Sequence, residues 1–260
     1  MLNAHFLSVQ YTLAMRGGVW YNRGMRMLMI GAAVAAVFVW GCAGEKSGAV
    51  FYAGVRQKLC YLDAVVPGVR TDLRYAGYDN FVGRPLAGYE GRRAVLRLDA
   101  ARAIAKAARE LAKEGLGLLV YDAYRPARAM KDFYEWSKTP DDRMRRKYYP
   151  NITKRGIYEG KYIRDVSEHS WCIAVDITLC DLKTGKPLDM GGHHDLLDVS
   201  SATDYPGITL DQQANRRKLR DALRKVGFSN YSKEWWHYYF DSDEPLYSYD
   251  FPIRDRVDGA

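Results

Sequence analysis

Ser167-Glu168-His169-Ser170-Trp171-Cys172-Ile173-Ala174-Val175-Asp176 and, further along, Glu234-Trp235-Trp236-His237 decide how this chain is read. Together they offer two imidazoles and a carboxylate able to hold a zinc ion, with a second carboxylate three residues before the last imidazole. Three protein ligands and one open position make a catalytic zinc site, whereas structural sites are closed by four. The spare carboxylate, Glu234, can then deprotonate a bound water. That is the minimal equipment of a metallohydrolase. His169 and Asp176 are seven apart, which places them on opposite faces of a straight strand. They converge only if the chain bends between them, with His169 on a loop feeding the strand of Asp176. A small residue is wanted at the bend, and Cys172 stands there.

Each residue also has a plain structural use, Asp176 as a strand-end cap and Glu234 as a surface ion-pair partner. Their conjunction is what points to metal chemistry. The chain has five histidines. His193 and His194 are adjacent and default to satisfied surface or core residues. With Cys42 set aside, Cys60, Cys172 and Cys180 allow at most one bridge, and the lack of a CxxC pair disfavours a thiolate zinc site.

At 260 residues, 48% hydrophobic and 27% charged, the chain is long enough for one sizeable core. Twenty tyrosines and six tryptophans suit an aromatic-lined cleft or plain core. Three of its 39 basic residues, Arg16, Arg23 and Arg26, lie in positions 1–41, which hold no acid. The remainder therefore carries 36 basic against 31 acidic residues, or +5. So diffuse an excess does not argue for nucleic acid.

Arg23 and Arg26 precede an apolar run from Met27 to Trp40, then Gly41-Cys42-Ala43-Gly44. This is the pattern of a secretory signal, and the run is shorter than the roughly 20 residues of a membrane-spanning helix. Val39-Trp40-Gly41-Cys42 resembles a bacterial lipobox with Cys42 as the lipid anchor, although Trp40 is bulkier than is usual there. An ordinary signal peptide cut nearby is the alternative. The expected organisation is an upstream extension and signal over 1–41, with Met25 as the true start, a linker over 42–50, and a catalytic domain over 51–260. Export implies a periplasmic location.

Within the domain, Asp99 to Glu114 reads as a helix capped by Asp99 and ended by Gly115. Leu118–Tyr121 follows as a buried strand with Arg125 at its exit, and Pro126 opens a helix reaching about Trp136. Ile173–Leu179 and Glu234–Phe240 read as strands. Asp211–Val226 reads as a helix with Leu219, Ala222, Leu223 and Val226 inward; Arg216, Arg217, Lys218, Arg220, Arg224 and Lys225 are expected on its solvated face. Helices and strands alternate without a regular βαβ period. The fold class is therefore α+β, with a central mixed or antiparallel sheet flanked by helices.

Ser167-x-His169-(x6)-Asp176 followed by Glu234-x-x-His237 resembles the zinc D-alanyl-D-alanine dipeptidases of the VanX type. These share a fold with zinc D,D-carboxypeptidases and the Hedgehog signalling domain. Tyr75-Ala76-Gly77-Tyr78-Asp79-Asn80-Phe81-Val82-Gly83, Asp122-Ala123-Tyr124-Arg125-Pro126, Tyr148-Tyr149-Pro150-Asn151-Ile152, Met190-Gly191 with Asp195, and Tyr249-Asp250-Phe251-Pro252 look like further family segments in family order. The departure is Trp171-Cys172, where a basic or aromatic residue and then glycine are usual.

The resemblance implies one zinc per chain on His169, Asp176 and His237, with Glu234 as general base and Arg125 stabilising the oxyanion. Ser167 and Asp195 would meet the amino end of a small dipeptide substrate. An unpaired carboxylate is the natural reader of a free ammonium, and a fixed guanidinium opposes charge building on oxygen. The expected reaction is hydrolysis of D-Ala-D-Ala to free D-alanine. Two alternatives stand beside it: a zinc D,D- or L,D-carboxypeptidase trimming peptidoglycan stems, and a non-catalytic, zinc-stabilised wall-binding module. The second has no use for Glu234 or Arg125.

Overall fold

Register in one five-stranded sheet fixes where the chemistry sits. The computed structural model describes residues 49–50, 56–164 and 166–256. The apolar leader, Met25, Cys42 and the Glu45–Gly48 stretch lie outside the described residues. The strands are β1 (Ala49–Val50), β2 (Leu59–Tyr61), β3 (Arg70–Thr71), β4 (Val95–Arg97), β5 (Leu116–Asp122), β6 (Ala174–Asp181), β7 (Phe228–Asn230) and β8 (His237–Phe240). The helices are α1 (Leu62–Val65), α2 (Leu98–Ala112), α3 (Ala127–Ser137), α4 (Arg145–Tyr148), α5 (Lys154–Glu159) and α6 (Leu210–Arg224).

The larger sheet runs β3-β5-β6-β8-β7, parallel only between β3 and β5. A small antiparallel sheet, β1-β2-β4, lies apart from it. The fold is thus α+β with a mixed sheet. Central strand β6 is buried along all but its last residue, as a strand covered on both faces must be. Its Val175 and Ile177 join Val120 of β5, Ile104 and Leu111 of α2, and Leu219 and Leu223 of α6 in one apolar core. Full burial of each such side chain stabilises by roughly 1.5–3 kcal/mol. Asp176 alternates with Val175 and Ile177, so its side chain turns to the opposite face. There an aromatic cluster gathers, with Phe81 and Phe133 at 4.8 Å and Trp136 edge-on to Phe81.

Alanine-rich α2 is a strong helix former. It begins at Leu98, one residue before Asp99, so Asp99 lies in its first turn, accepts from Ala100 N–H and pairs with Arg97. The expected N-cap role therefore passes to Arg97, whose side chain makes no capping bond. Thr209 and Gln212 close a capping box at the start of α6.

Arg216 corrects the expectation of a solvated basic face. It is fully buried, its Nε donating to Met190 O at 2.7 Å and its Nη1 to the carbonyls of Ser200 and Ala202. It stands three residues before Leu219 and seven before Leu223, so it shares their apolar stripe. Its long stem suits that position. Burial draws its pKa down to about 10, still protonated at neutral pH. Arg217, Lys218, Arg224 and Lys225 are exposed as expected, while Arg220 is half-buried against Asp204.

Glu234–Trp236 is a second correction. These residues form a turn, and the strand begins only at His237. Trp235 and Trp236 are both buried and anchor that turn in the protein. Cys60, Cys172 and Cys180 are all free and buried. Among the described residues no helix is long and apolar enough to cross a membrane.

Candidate active site

Three adjacent strands place Asp122, Asp176 and His237 in a single row, since Asp122 pairs with Asp176 and Asp176 with His237. Directly paired residues project from the same face of a sheet. A bulge between Val120 and Asp122 adjusts the end of β5, which brings Asp122 into the row. His169 arrives from a 3₁₀ turn, Glu168–Trp171, that leads into β6. Ser167 caps this turn by accepting from His169 N–H at 3.3 Å. Cys172 ends it in the left-handed conformation, φ 58°. This is the bend that the seven-residue spacing requires, at the position where glycine would be free of strain.

The donor atoms converge. His169 Nε2 lies 3.2 Å from His237 Nδ1 and 3.2 Å from Asp176 Oδ1, and His237 Nδ1 lies 3.1 Å from the same oxygen. Bonds of about 2.0–2.1 Å to a tetrahedral zinc imply ligand separations of roughly 3.3 Å. The ring of His169 is turned by its Nδ1–H, which donates to Ala123 O at 2.5 Å, so its Nε2 lone pair points inward. Three electron-rich atoms aimed at one point suit a cation, and the residues present fit zinc.

Asp122 is fully buried behind this group. It accepts from Tyr89 Oη at 2.7 Å and Arg125 Nε at 2.9 Å, and its Oδ2 lies 3.5 Å from His169 Nδ1. Arg125 Nη2 reaches Asp176 Oδ2 at 3.4 Å. Burial opposes the charge of Arg125, but Tyr75, Asp122 and Asp176 around it outweigh that and hold it firmly protonated. Asp176 likewise overcomes burial: His169, His194 and His237 hold its carboxyl well below the usual range.

Glu234 behaves oppositely. Burial pushes it up to about 8, with His237 opposing and Asp176 and Asp195 reinforcing. Its backbone is fixed by Tyr231 O, which accepts from Glu234 N–H, and by Asn230 Nδ2, which donates to Glu234 O. Two carboxyls that line one cavity are thus driven in opposite directions, the pattern expected of an anionic ligand beside a general base. Arg125, Ser167, Asp176, Asp195, Glu234 and His237 all line one cavity of about 120 Å³. That is small beside the roughly 300–1,000 Å³ of drug-sized ligand pockets, and it favours a small substrate.

A family model described as D-ala-D-ala dipeptidase matches residues 55–255. The chain belongs to this peptidase family. It is 40% identical to the D-alanyl-D-alanine dipeptidase of Enterococcus faecium over 196 residues, 75% of this chain and 97% of that protein. It is also 40% identical to the D-alanyl-D-alanine dipeptidase of Streptomyces coelicolor over 195 residues, 74% and 96% of the two chains. A solved structure of a mutant vancomycin-resistance D,D-pentapeptidase VanY with Zn(II) overlaps 64% of this chain and 80% of its own, at 15% identity and a TM-score of 0.34. That overlap is too slight to bear on the site.

In this dipeptidase-family chain, then, all seven residues singled out from the sequence meet around one cavity or directly behind it. Two more belong with them. Asp122 gave no signal beyond its place in Asp122-Ala123-Tyr124-Arg125-Pro126. His194 looked like an ordinary core histidine, yet its Nε2 lies 3.2 Å from Asp176 Oδ2.

Proposed function

We propose that this peptidase hydrolyses the D-Ala-D-Ala dipeptide to free D-alanine, with one zinc ion held by His169, Asp176 and His237. The convergence of three donor atoms at 3.1–3.2 Å beside Glu234 and Arg125 carries the reading, and the named activity of the 40%-identical relatives supports the substrate. Zinc, when bound, polarises the substrate carbonyl and lowers the pKa of water.

The side chains do the rest. Glu234 as the carboxylate takes a proton from the attacking water and hands it to the leaving amine, and burial, which raises its proton affinity, makes it the stronger acceptor. Arg125, steered by Asp122 through Nε, sets its guanidinium against the charge that develops on the carbonyl oxygen, an effect of roughly 3–4 kcal/mol. Asp195 is buried with its Oδ2 lacking a hydrogen-bond partner, and an arriving ammonium satisfies it. Burial raises the carboxyl of Asp195, with His194 opposing, and an ammonium beside it favours the anion. Ser167 Oγ already accepts from His169 N–H and has a second lone pair for the same ammonium.

Zinc-loaded protein offered D-Ala-D-Ala, L-Ala-L-Ala and a stem pentapeptide is expected to release D-alanine from the first alone. Efficient trimming of the pentapeptide would instead make it a D,D-carboxypeptidase. We also propose export with a lipid anchor at Cys42, from the Arg23 and Arg26 pair, the apolar run behind it and Val39-Trp40-Gly41-Cys42. Cys42→Ser should then release the protein from the membrane fraction, and an unchanged distribution speaks against the anchor.

A further inference from the structure

His194 is a buried imidazole that the reaction above does not use. Its Nε2 lies 3.2 Å from Asp176 Oδ2 and 3.4 Å from Asp195 Oδ1. With a carboxylate oxygen on each side, that nitrogen carries its proton and donates. The ring is fixed from three directions. Tyr121 stacks on it at 4.8 Å and 26°, Trp236 meets it edge-on at 5.4 Å, and Tyr75 lies at 6.3 Å. The backbone is fixed as well, because the ring nitrogens of the neighbouring His193 lie 2.8 and 2.9 Å from the carbonyls of His194 and Lys147. Asp195, the next residue, is held in the left-handed region at φ 63°, a conformation that a non-glycine residue keeps only when its surroundings impose it.

We propose that His194 is a positioning residue joining the two halves of the site. Its N–H orients the proposed metal ligand Asp176 through its outer oxygen, and the same ring, 3.4 Å from Asp195 Oδ1, keeps an ion-pair contact with Asp195 where that residue reads the substrate's amino end. A carboxylate ligand whose second oxygen is hydrogen-bonded presents the first in a fixed direction, which is how outer partners tune metal affinity. Asp176, His194 and Asp195 could also be imagined as a second cation site, since one ligand atom from each lies within 4.8 Å of the others. The Arg125 guanidinium, 3.4 Å from the same Asp176 oxygen, already supplies positive charge there. The arrangement is therefore a hydrogen bond and not a second metal.

The inference rests on the zinc reading of Asp176, and its first readout is independent of the substrate. His194→Phe keeps the aromatic packing and removes the donor, while His194→Gln restores an N–H at nearly the same place. By chelator competition on the full-length protein, zinc affinity should fall roughly 10–100-fold in His194→Phe and stay within about threefold of wild type in His194→Gln. With D-Ala-D-Ala, KM should rise in the Phe variant by a larger factor than kcat falls, because Asp195 loses its orientation. Zinc content should be one ion per chain in all three proteins. Wild-type zinc affinity and KM in His194→Phe would overturn the proposal. So would two ions in wild type falling to one in that variant. If His194→Phe does not fold, a Gln variant whose zinc affinity also collapses overturns it, because the donor is then not what matters. Zinc bound at wild-type strength by a protein inert toward D-Ala-D-Ala would instead count against the substrate reading alone.

Discussion

The sheet row and the loops that arch over it build one site by different means. Asp122, Asp176 and His237 are set by strand pairing, with ordinary backbone and no left-handed residue among them. The loops carry every non-glycine residue of positive φ among those described: Lys161 at the cavity wall, Cys172 beside His169, and Asp195 beside His194. Strain gathers where residues of remote origin must be aimed at one point, and it persists only because surrounding contacts impose it. The sheet thus supplies a rigid floor for charge, and the loops supply the groups that meet substrate.

Breaking the floor should have the largest effect. Asp176→Ala or His237→Ala is expected to leave no zinc after dialysis and no measurable turnover; metal analysis beside a D-alanine release assay checks both. Removing the base comes next. Glu234→Gln should retain one zinc and lose roughly 10²–10⁴-fold in kcat.

The same variant has a pH signature in metal-free protein. The folded Glu234 carboxyl titrates at about 8, against 4.5 for its unperturbed value, because burial disfavours its charge. A raised folded pKa means that the folded state binds the proton more tightly. This contribution to stability is complete below about pH 4.5 and is lost as pH rises through 8. Glutamine has no proton to lose. Metal-free Glu234→Gln should therefore match wild type in Tm near pH 4 and have the higher Tm at pH 9, where it is the more stable by on the order of a few kcal/mol. Equal Tm values at pH 9 would place Glu234 in water and not in the protein.

Asp122→Asn tests the support behind the floor. It weakens the hold on Arg125 and on the ring of His169 together, and a 10–100-fold loss in kcat/KM with full-length folded protein is expected. The smallest change is at the bend. Cys172→Val puts a β-branched residue at φ 58° and should lower stability by about 1–3 kcal/mol in denaturant melts, with zinc stoichiometry intact.

What could be read in advance follows the motifs and not that division. His169 and Glu234 from the loops and His237 from β8 announced themselves in compact motifs, and the odd spacing to Asp176 demanded a bend that Cys172 provides. The pairing that makes the row did not. Asp122 and Asp176 meet through a pairing that no local pattern encodes, and strands of two or three residues such as β3, β4 and β7 are too short to show a period. Arg216 was misplaced because a charge on a helix ordinarily faces water; three carbonyls in need of a donor drew it inside. His194 could not be told from His193 by type or neighbourhood, only by where its ring points. Glu234–Trp236 looked strand-like through two aromatic residues whose actual work is to pin a turn.

X-ray absorption on the zinc-loaded protein tests the central claim most directly. Two imidazole nitrogens and light oxygen donors at about 2.0–2.1 Å, with no sulfur, are expected. A shell containing sulfur, or only one imidazole, would contradict the meeting of row and loops around a single ion.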